Sequence, residues 1–353
     1  MKILVINPGS TSTKIGFFQD EAKIFETVLR HSTEELAPFK NVTDQYEFRK
    51  EKILNAMEEN DFSLKSIDAI ACRGGATKKR IKGGTYLVTD QMCEEHRNNP
   101  MQHPASLAAI IGKDIADELG IKAYVTDTPY VCEISKIAEI SGHQAIRREP
   151  IFHALNSKAI ARKFAAENGK KYADINAIVC HMGGGISISC HQNGIVIDTT
   201  DGISEGPIAP ERTGSLPARP LVDLCFSGEY THADMKKIIQ SEGGIYSYIK
   251  TNDMREVEQQ ALNGDEEALL LLDAMVYQIA KEIGAMATVL CGQLDGILLT
   301  GGIAYSENIV KKISERCDFL GKVKAYPGEI ELEALALGVL RITNGEEELK
   351  IYN

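Results

Sequence analysis

A chain of 353 residues, 43% hydrophobic and 25% charged, has an ordinary globular composition and exceeds what a single core usually organises, so two domains are expected. A net charge of −11 sets the whole molecule against nucleic acid and anionic membrane, both polyanions that its field repels. The eight cysteines (Cys72, Cys93, Cys132, Cys180, Cys190, Cys225, Cys291, Cys317) contain no C-x-x-C pair; a zinc site or redox dithiol is not expected, and the thiols read as reduced and mostly buried.

The opening "MKILVIN" is strand-like and lacks the basic, apolar and small-residue regions of a signal peptide, which gives a cytoplasmic expectation. "NPGSTST" is turn chemistry and "KIGFF" is strand again, so residues 2–18 predict a hairpin whose glycine and hydroxyl groups suit phosphate. No helix follows at once, and neither G-x-x-x-x-G-K-[ST] nor G-x-G-x-x-G is present, so this is no Walker loop and no dinucleotide fold. Further on, "IDAIAC" and "KAYVTDT" predict buried strands, while "HPASLAAIIGKDIADELG" and "EPIFHALNSKAIARKFAAENG" predict helices that stop at glycine.

The hairpin design then returns: "INAIVC" as strand, "HMGGG" as turn, "ISISCH" as strand, "QNG" as tight turn and "IVID" as strand. Asn7 and His181 are 181 − 7 = 174 residues apart, close to half the chain. This predicts two α/β halves with mixed sheets, each starting with a phosphate-facing hairpin, a cleft between them and a boundary near residue 150. The apolar run Glu266–Leu290 contains Asp273, Lys281 and Glu282, too many charges for a membrane span. Its Leu272, Met275, Ile279, Ile283, Met286 and Leu290 recur at helical spacing as one core-facing stripe. In "LDGILLTGGIAYSENIVKKISERC" a strand leads through Gly301 and Gly302 into a helix that Ser306 can cap, a turn suited to the nucleoside or α-phosphate end of a nucleotide. The tail "EEELKIYN" reads as a solvated end.

Seven motifs, "NPGSTSTK", "HPASLAA", "TDTP", "FHALNSK", "CHMGGG", "ERTGS" and "TGGIAYSEN", stand in the order found in acetate and butyrate kinases, and the chain resembles that family, the butyrate kinases most closely, over nearly its whole length. The resemblance implies the duplicated actin-like (ribonuclease H-like) two-domain α/β fold with a nucleotide cleft between domains. It would comprise an N-terminal domain over 1–150, completed by 335–353, and a nucleotide-binding domain over 151–334. It also implies reversible, magnesium-dependent transfer of a phosphoryl group from ATP to a short-chain acid, giving acyl phosphate and ADP. Butyrate is the expected acid. Acetate, propionate and branched acids such as isobutyrate are the alternatives, as is an actin-like ATPase that transfers nothing. Expected partners are nucleotide, carboxylate and further copies of the chain in a homodimer or larger homo-oligomer.

By the same resemblance, Asn7, Ser10, Ser12 and Lys14 face phosphates and the magnesium water shell, with Gly183, Gly184 and Gly185 as the second phosphate turn and Gly301 and Gly302 along the nucleotide. Arg73 and Arg212 are the active-site guanidiniums, and His153 and His181 the donors to the moving phosphoryl. Asp127 is expected to orient Arg73, a histidine or a magnesium-bound water, with an Asx-type turn before Pro129 as the alternative. Glu331, or Glu333 one step on, is expected to join Asn7 at magnesium, and His103 to give structural support. Gly74 and Gly75, where acetate kinases carry valines, are expected to deepen the acid pocket, with Phe152 as a further wall.

Overall fold

The computed structural model describes residues 1–99 and 103–352. Two compact units divide the chain: Met1–Cys132 with Ile330–Asn353, and Glu133–Glu329. The division falls earlier than residue 150 because the segment after Cys132 is already tied into the second unit. Lys158 and Glu133 form a buried ion pair at 2.8 Å, Val196 donates its N–H to Glu133, and Ser135 donates to the Ile197 carbonyl.

In the first unit, β1 (Lys2–Pro8), β2 (Ser12–Gln19), β3 (Ala22–Arg30), β4 (Ala69–Cys72), β5 (Thr85–Leu87) and β6 (Lys122–Thr126) join the chain's last strand, Lys350–Ile351, in one sheet. Its order is last strand, β5, β6, β4, β1, β2, β3, with β1, β4 and β6 parallel and β1, β2 and β3 antiparallel. The tail is therefore not a solvated end: it pairs with β5, and Tyr352 is buried with its hydroxyl donating to Glu95. The helix Ala105–Leu119 lies close on the sheet because Gly112 leaves room for Cys72, whose Sγ would stand 2.2 Å from an added Cβ. The helix stops as expected at Gly120, in the left-handed region at φ 70°.

In the second unit, β7 (Ile140–His143) and β8 (Ile146–Arg147) form a small hairpin, and a separate sheet holds β9 (Ala177–Met182), β10 (Ile186–Gln192), β11 (Ile195–Thr199), β12 (Gly296–Gly301) and β13 (Val323–Pro327). Its order β11, β10, β9, β12, β13 repeats β3, β2, β1, β4, β6, with three antiparallel strands followed by two parallel ones in each case. The duplication read from spacing is thus present in strand order. Asn193 and Gly194, both at positive φ, make the tight turn between β10 and β11. The helix Glu266–Val289 buries the anticipated stripe, and Asp265 caps it through the N–H groups of Glu267 and Ala268. Among the described residues, no helix is long and apolar enough to cross a membrane. Of the eight free cysteines, Cys72, Cys93, Cys180, Cys190 and Cys317 are buried, and Cys225 and Cys291 are exposed.

His31 and His96 are buried in the first unit, and desolvation pulls each imidazole down from 6.5 to about 4. The folded state holds both rings neutral while the unfolded chain protonates near 6.5, so their contribution is fully present above that pH and is lost as pH falls toward 4. Chemical denaturation midpoints of His96→Leu should accordingly fall less steeply between those pH values than those of the parent; an unchanged slope would contradict this assignment.

Candidate active site

Parallel strands β1 and β4 end side by side, and the residues that follow them form the first group. Asn7, near the end of β1, sits directly across from Lys14 on β2, so the two side chains share one face of the hairpin. Arg73 extends the ladder by one step, its N–H donating to the Ile6 carbonyl at 2.9 Å. Glu331, the first residue of the helix Glu331–Thr343, joins them: its Oε2 accepts from Asn7 Nδ2 at 2.8 Å, and its Oε1 lies 3.5 Å from Arg73 Nη2. Glu333 turns elsewhere, to an exposed pair with Lys23 at 2.8 Å. Arg73 Nη1 is buried and has no hydrogen-bond partner among the described residues.

Between β1 and β2 only Gly9, Ser10 and Thr11 are turn; Ser12 and Lys14 are on the strand, so the hairpin is tighter than its composition suggests. Ser10 and Thr11 are exposed, and their N–H groups have no acceptor among the described residues. A short run of unused N–H groups is a concave donor site for an anion.

The sequence expectation for Gly74 and Gly75 is corrected in this unit. Gly74 and Gly75 are buried against close neighbours: a Cβ on Gly74 would meet Thr128 Cγ2 at 2.3 Å, and one on Gly75 would meet Ser106 Oγ at 2.0 Å. The room that valines would fill is taken by neighbouring residues, so these glycines serve close packing. The described contact of Asp127, which lies at φ 43° after β6, is its Oδ1 accepting the Gly84 N–H at 2.8 Å. That contact ties Asp127 to the turn before β5, and Glu331 stands against Arg73. His103 keeps a supporting place, its Nδ1 accepting the Ala105 N–H at the start of a helix.

In the second unit the register of three strands builds the group. Ser187 on β10, His181 on β9 and Thr300 on β12 are direct cross-strand partners and share one face of the sheet. The helix Ala154–Glu167 brings His153, at its N-cap, and Asn156 onto that row. His153 Nδ1 meets Ser187 Oγ at 2.8 Å, and its ring stacks on that of His181 with centroids 3.8 Å apart and planes 8° from parallel. The Asn156 amide spends both N–H bonds, one on His181 Nδ1 at 3.0 Å and one on Thr300 Oγ1 at 3.1 Å. The His181 ring proton is thereby assigned to Nε2, which points toward Glu329 Oε1, 3.4 Å away.

Arg212 donates from Nη1 to the Gly202 carbonyl at 2.6 Å and packs so closely on the glycine turn that a Cβ on Gly185 would stand 2.3 Å from that nitrogen. Its Nε is buried with no hydrogen-bond partner among the described residues. Burial lowers its pKa, against the neighbouring charges of Glu211 and Asp201 that raise it. Gly184 faces Glu211, whose Oε1 would lie 2.8 Å from a Cβ there. Gly301 is at φ 89° and abuts the Met182 carbonyl, so only glycine fits; Gly302 is open and exposed. Phe152 is buried and presents almost no surface. A cavity of about 680 Å³, lined among others by Gly183, Gly184, Glu258, Gly302, Tyr305 and Ser306, lies beside this turn, within the size range of small-molecule sites. Ser306 caps the helix after it, as expected, through the Ile309 N–H.

Ser187, Asn156 and Thr300 were not singled out from sequence, although the His153 and Asn156 spacing of one helical turn was a usable signal. Among the described residues no group of three or more His, Cys, Asp or Glu is arranged to hold a metal.

The packing of Gly75 yields a direct check. Gly75→Val should lower the melting temperature sharply and reduce turnover on every acid alike, and Gly75→Ala should do so less severely, since overpacking costs about 1–3 kcal/mol or more. A stable Gly75→Val protein with losses confined to the longer acids would restore the pocket reading.

Residues 128–332, more than half of the chain, match the Acetokinase family. Among solved structures, acetate kinase from Porphyromonas gingivalis is 19% identical, with 97% of this chain and 99% of that chain covered at a TM-score of 0.80. A propionate kinase from Francisella tularensis is 18% identical, covering 95% and 98% at 0.76, and a ROK hexokinase from Thermus thermophilus is 14% identical, covering 98% and 100% at 0.52. At such identities these likenesses speak for the fold, a two-unit mixed α/β architecture consistent with the actin-like kinases. The family match over residues 128–332 goes further: the chain belongs to the acetokinase family, phosphotransferases of short-chain carboxylic acids.

Proposed function

We propose that the protein transfers the terminal phosphoryl group of ATP, reversibly, to butyrate. The observation that carries the transfer chemistry is two buried guanidinium donors left without acceptors among the described residues, Arg73 Nη1 and Arg212 Nε. A buried N–H with no partner is a standing cost unless a ligand fills it, and a planar cationic fork suits a carboxylate or a phosphoryl. Butyrate is ionised at neutral pH and already nucleophilic, so no general base is needed. The residues supply charge and donors to the phosphoryl oxygens instead.

In this reading Arg73 holds the acid or the phosphoryl, with Glu331 fixing its angle. Arg212 and the Nε2–H of His181 donate to the equatorial oxygens, and the stacked ring of His153 keeps His181 in plane. Ser10, Ser12 and Lys14 take phosphate oxygens at the first turn, Gly183–Gly185 at the second, and the cavity beside Gly302 takes the nucleoside. One carboxylate and one amide oxygen, Glu331 and Asn7, fit a magnesium ion that keeps most of its waters. When bound, that ion supplies charge neutralisation along the phosphates.

Support for butyrate is the closeness of the ordered motifs to butyrate kinases. Acetate or propionate is the second reading, favoured by the buried packing of Gly74 and Gly75, which removes one source of room for a longer acid. Trapping the acyl phosphate with hydroxylamine separates the two. Butyrate should give the highest kcat/KM, about 10-fold or more above acetate, since two methylenes are worth about 0.8 kcal/mol each on burial. A maximum at acetate or propionate would establish the second reading, and ATP hydrolysis with no hydroxamate from any acid would leave an ATPase that transfers nothing. Arg212→Ala should lower turnover about 10²–10³-fold with the fold intact, as loss of one transition-state donor does, and Arg212→Lys should rescue poorly. Near-normal turnover in Arg212→Ala would remove that residue from the reaction.

A further inference from the structure

Behind the Gly9–Ser12 turn lies a residue with no part in the motifs. Arg49, on the helix Tyr46–Glu59, is fully buried. Its Nη1 donates to the carbonyls of Gly9 and Ser12 and to Thr13 Oγ1, each at 3.0 Å; its Nη2 donates to the Ser10 carbonyl at 2.9 Å and its Nε to Gln45 Oε1 at 2.9 Å. None of these acceptors is a carboxylate. Among the described residues a full positive charge is therefore buried against neutral dipoles alone, and desolvation lowers its pKa to about 10, still charged at neutral pH.

If the only task were to staple a tight turn, this would be a costly choice, because burying an ion without a counter-ion carries a penalty of several kcal/mol that a neutral amide or hydroxyl avoids. The geometry does something a staple need not. In a peptide unit the C=O and the next N–H point in opposite directions, so drawing in the carbonyls of Gly9 and Ser10 turns the N–H groups of Ser10 and Thr11 outward, where they lack an acceptor. It also withdraws three carbonyl oxygens that would repel an anion.

We propose that Arg49 is the positioning residue of the first phosphate turn. It collects the loop carbonyls, presents the Ser10 and Thr11 N–H groups as an anion cradle, and leaves a buried charge whose counter-ion is the polyphosphate of the bound nucleotide. The proposal rests on the reading of Gly9–Lys14 as a phosphate site, and the test separates the two.

Calorimetric affinities for ATP and for adenosine, which has no phosphate, are compared with melting temperatures for the parent, Arg49→Lys, Thr13→Val, Lys14→Ala and Ile53→Val. Lysine keeps the charge but cannot reach three carbonyls in a planar fork. Arg49→Lys should weaken ATP at least 10-fold and leave adenosine within about 2-fold. Thr13→Val, an isosteric change that removes one Arg49 acceptor, should weaken ATP a few-fold in the same selective way, and it decides the matter if Arg49→Lys does not fold. Ile53→Val destabilises the same helix from its core face and should change neither affinity. Weakened ATP in Lys14→Ala with unchanged ATP in Arg49→Lys and Thr13→Val would overturn the positioning role alone. Unchanged ATP in Lys14→Ala would overturn the phosphate reading and the proposal with it. Equal losses of ATP and adenosine in Arg49→Lys would reduce Arg49 to a structural staple.

Discussion

A protein that binds an anion must keep hydrogen-bond donors unused, and in a folded chain each unused donor has to be prevented from finding an internal acceptor. On the proposed function, that constraint organises both units here. In the first, Glu331 engages Arg73 through Nη2 and leaves Nη1 without a partner, while Arg49 draws in the carbonyls of the Gly9–Ser12 turn so that its amides face outward. In the second, the Gly202 carbonyl takes Arg212 Nη1 and leaves Nε, and Asn156 occupies His181 Nδ1 so that the ring proton stands on Nε2. In each side chain a protein partner fixes one atom, an acceptor for the two guanidiniums and the Asn156 amide for His181, and leaves another atom for a ligand.

Strand register is what delivers these groups. The same sequence of three antiparallel and two parallel strands occurs twice, and each copy places its polar residues at the end of the central strand, beside a parallel neighbour. Ligand sites at the carboxyl ends of parallel strands follow from that geometry. Ser187, His181 and Thr300 form one row because β10, β9 and β12 are in register, and Asn7 faces Lys14 for the same reason. A helix then supplies the remaining parts: Ala154–Glu167 in one unit, the first turn of Glu331–Thr343 in the other.

Much of this was legible in the residues. Both hairpins, the Ser306 cap, the helix stop at Gly120 and the buried stripe of Glu266–Val289 follow from short-range chemistry, in which the signal and the structure sit within a few positions of each other. What was missed is long-range. Gly74 and Gly75 read as space because a glycine lacks a side chain, yet whether the vacancy stays open depends on Thr128 and Ser106, more than 30 residues away in the chain. Arg49 reads as one charge among several in "YEFRKEKIL", and nothing local distinguishes it from the charges around it. Asp127 was placed correctly at a strand end, and its bond to the Gly84 N–H, 43 residues away, could not be read from the local string. The tail was misjudged because two residues of strand are too few to show a period, and pairing with β5 is what holds them.

The central claim is that the unpaired donors are reserved for the phosphates and the moving phosphoryl. The most direct measurement is the ¹⁵N–¹H spectrum of the protein, with Arg212 Nε–H and the Ser10 and Thr11 amides assigned, before and after addition of magnesium, ADP, fluoroaluminate and butyrate. The account predicts large downfield proton shifts and slowed solvent exchange at all three groups, with little change at Arg49 Nε–H, which is already bonded to Gln45. Binding of the mixture with those three resonances unmoved would contradict it.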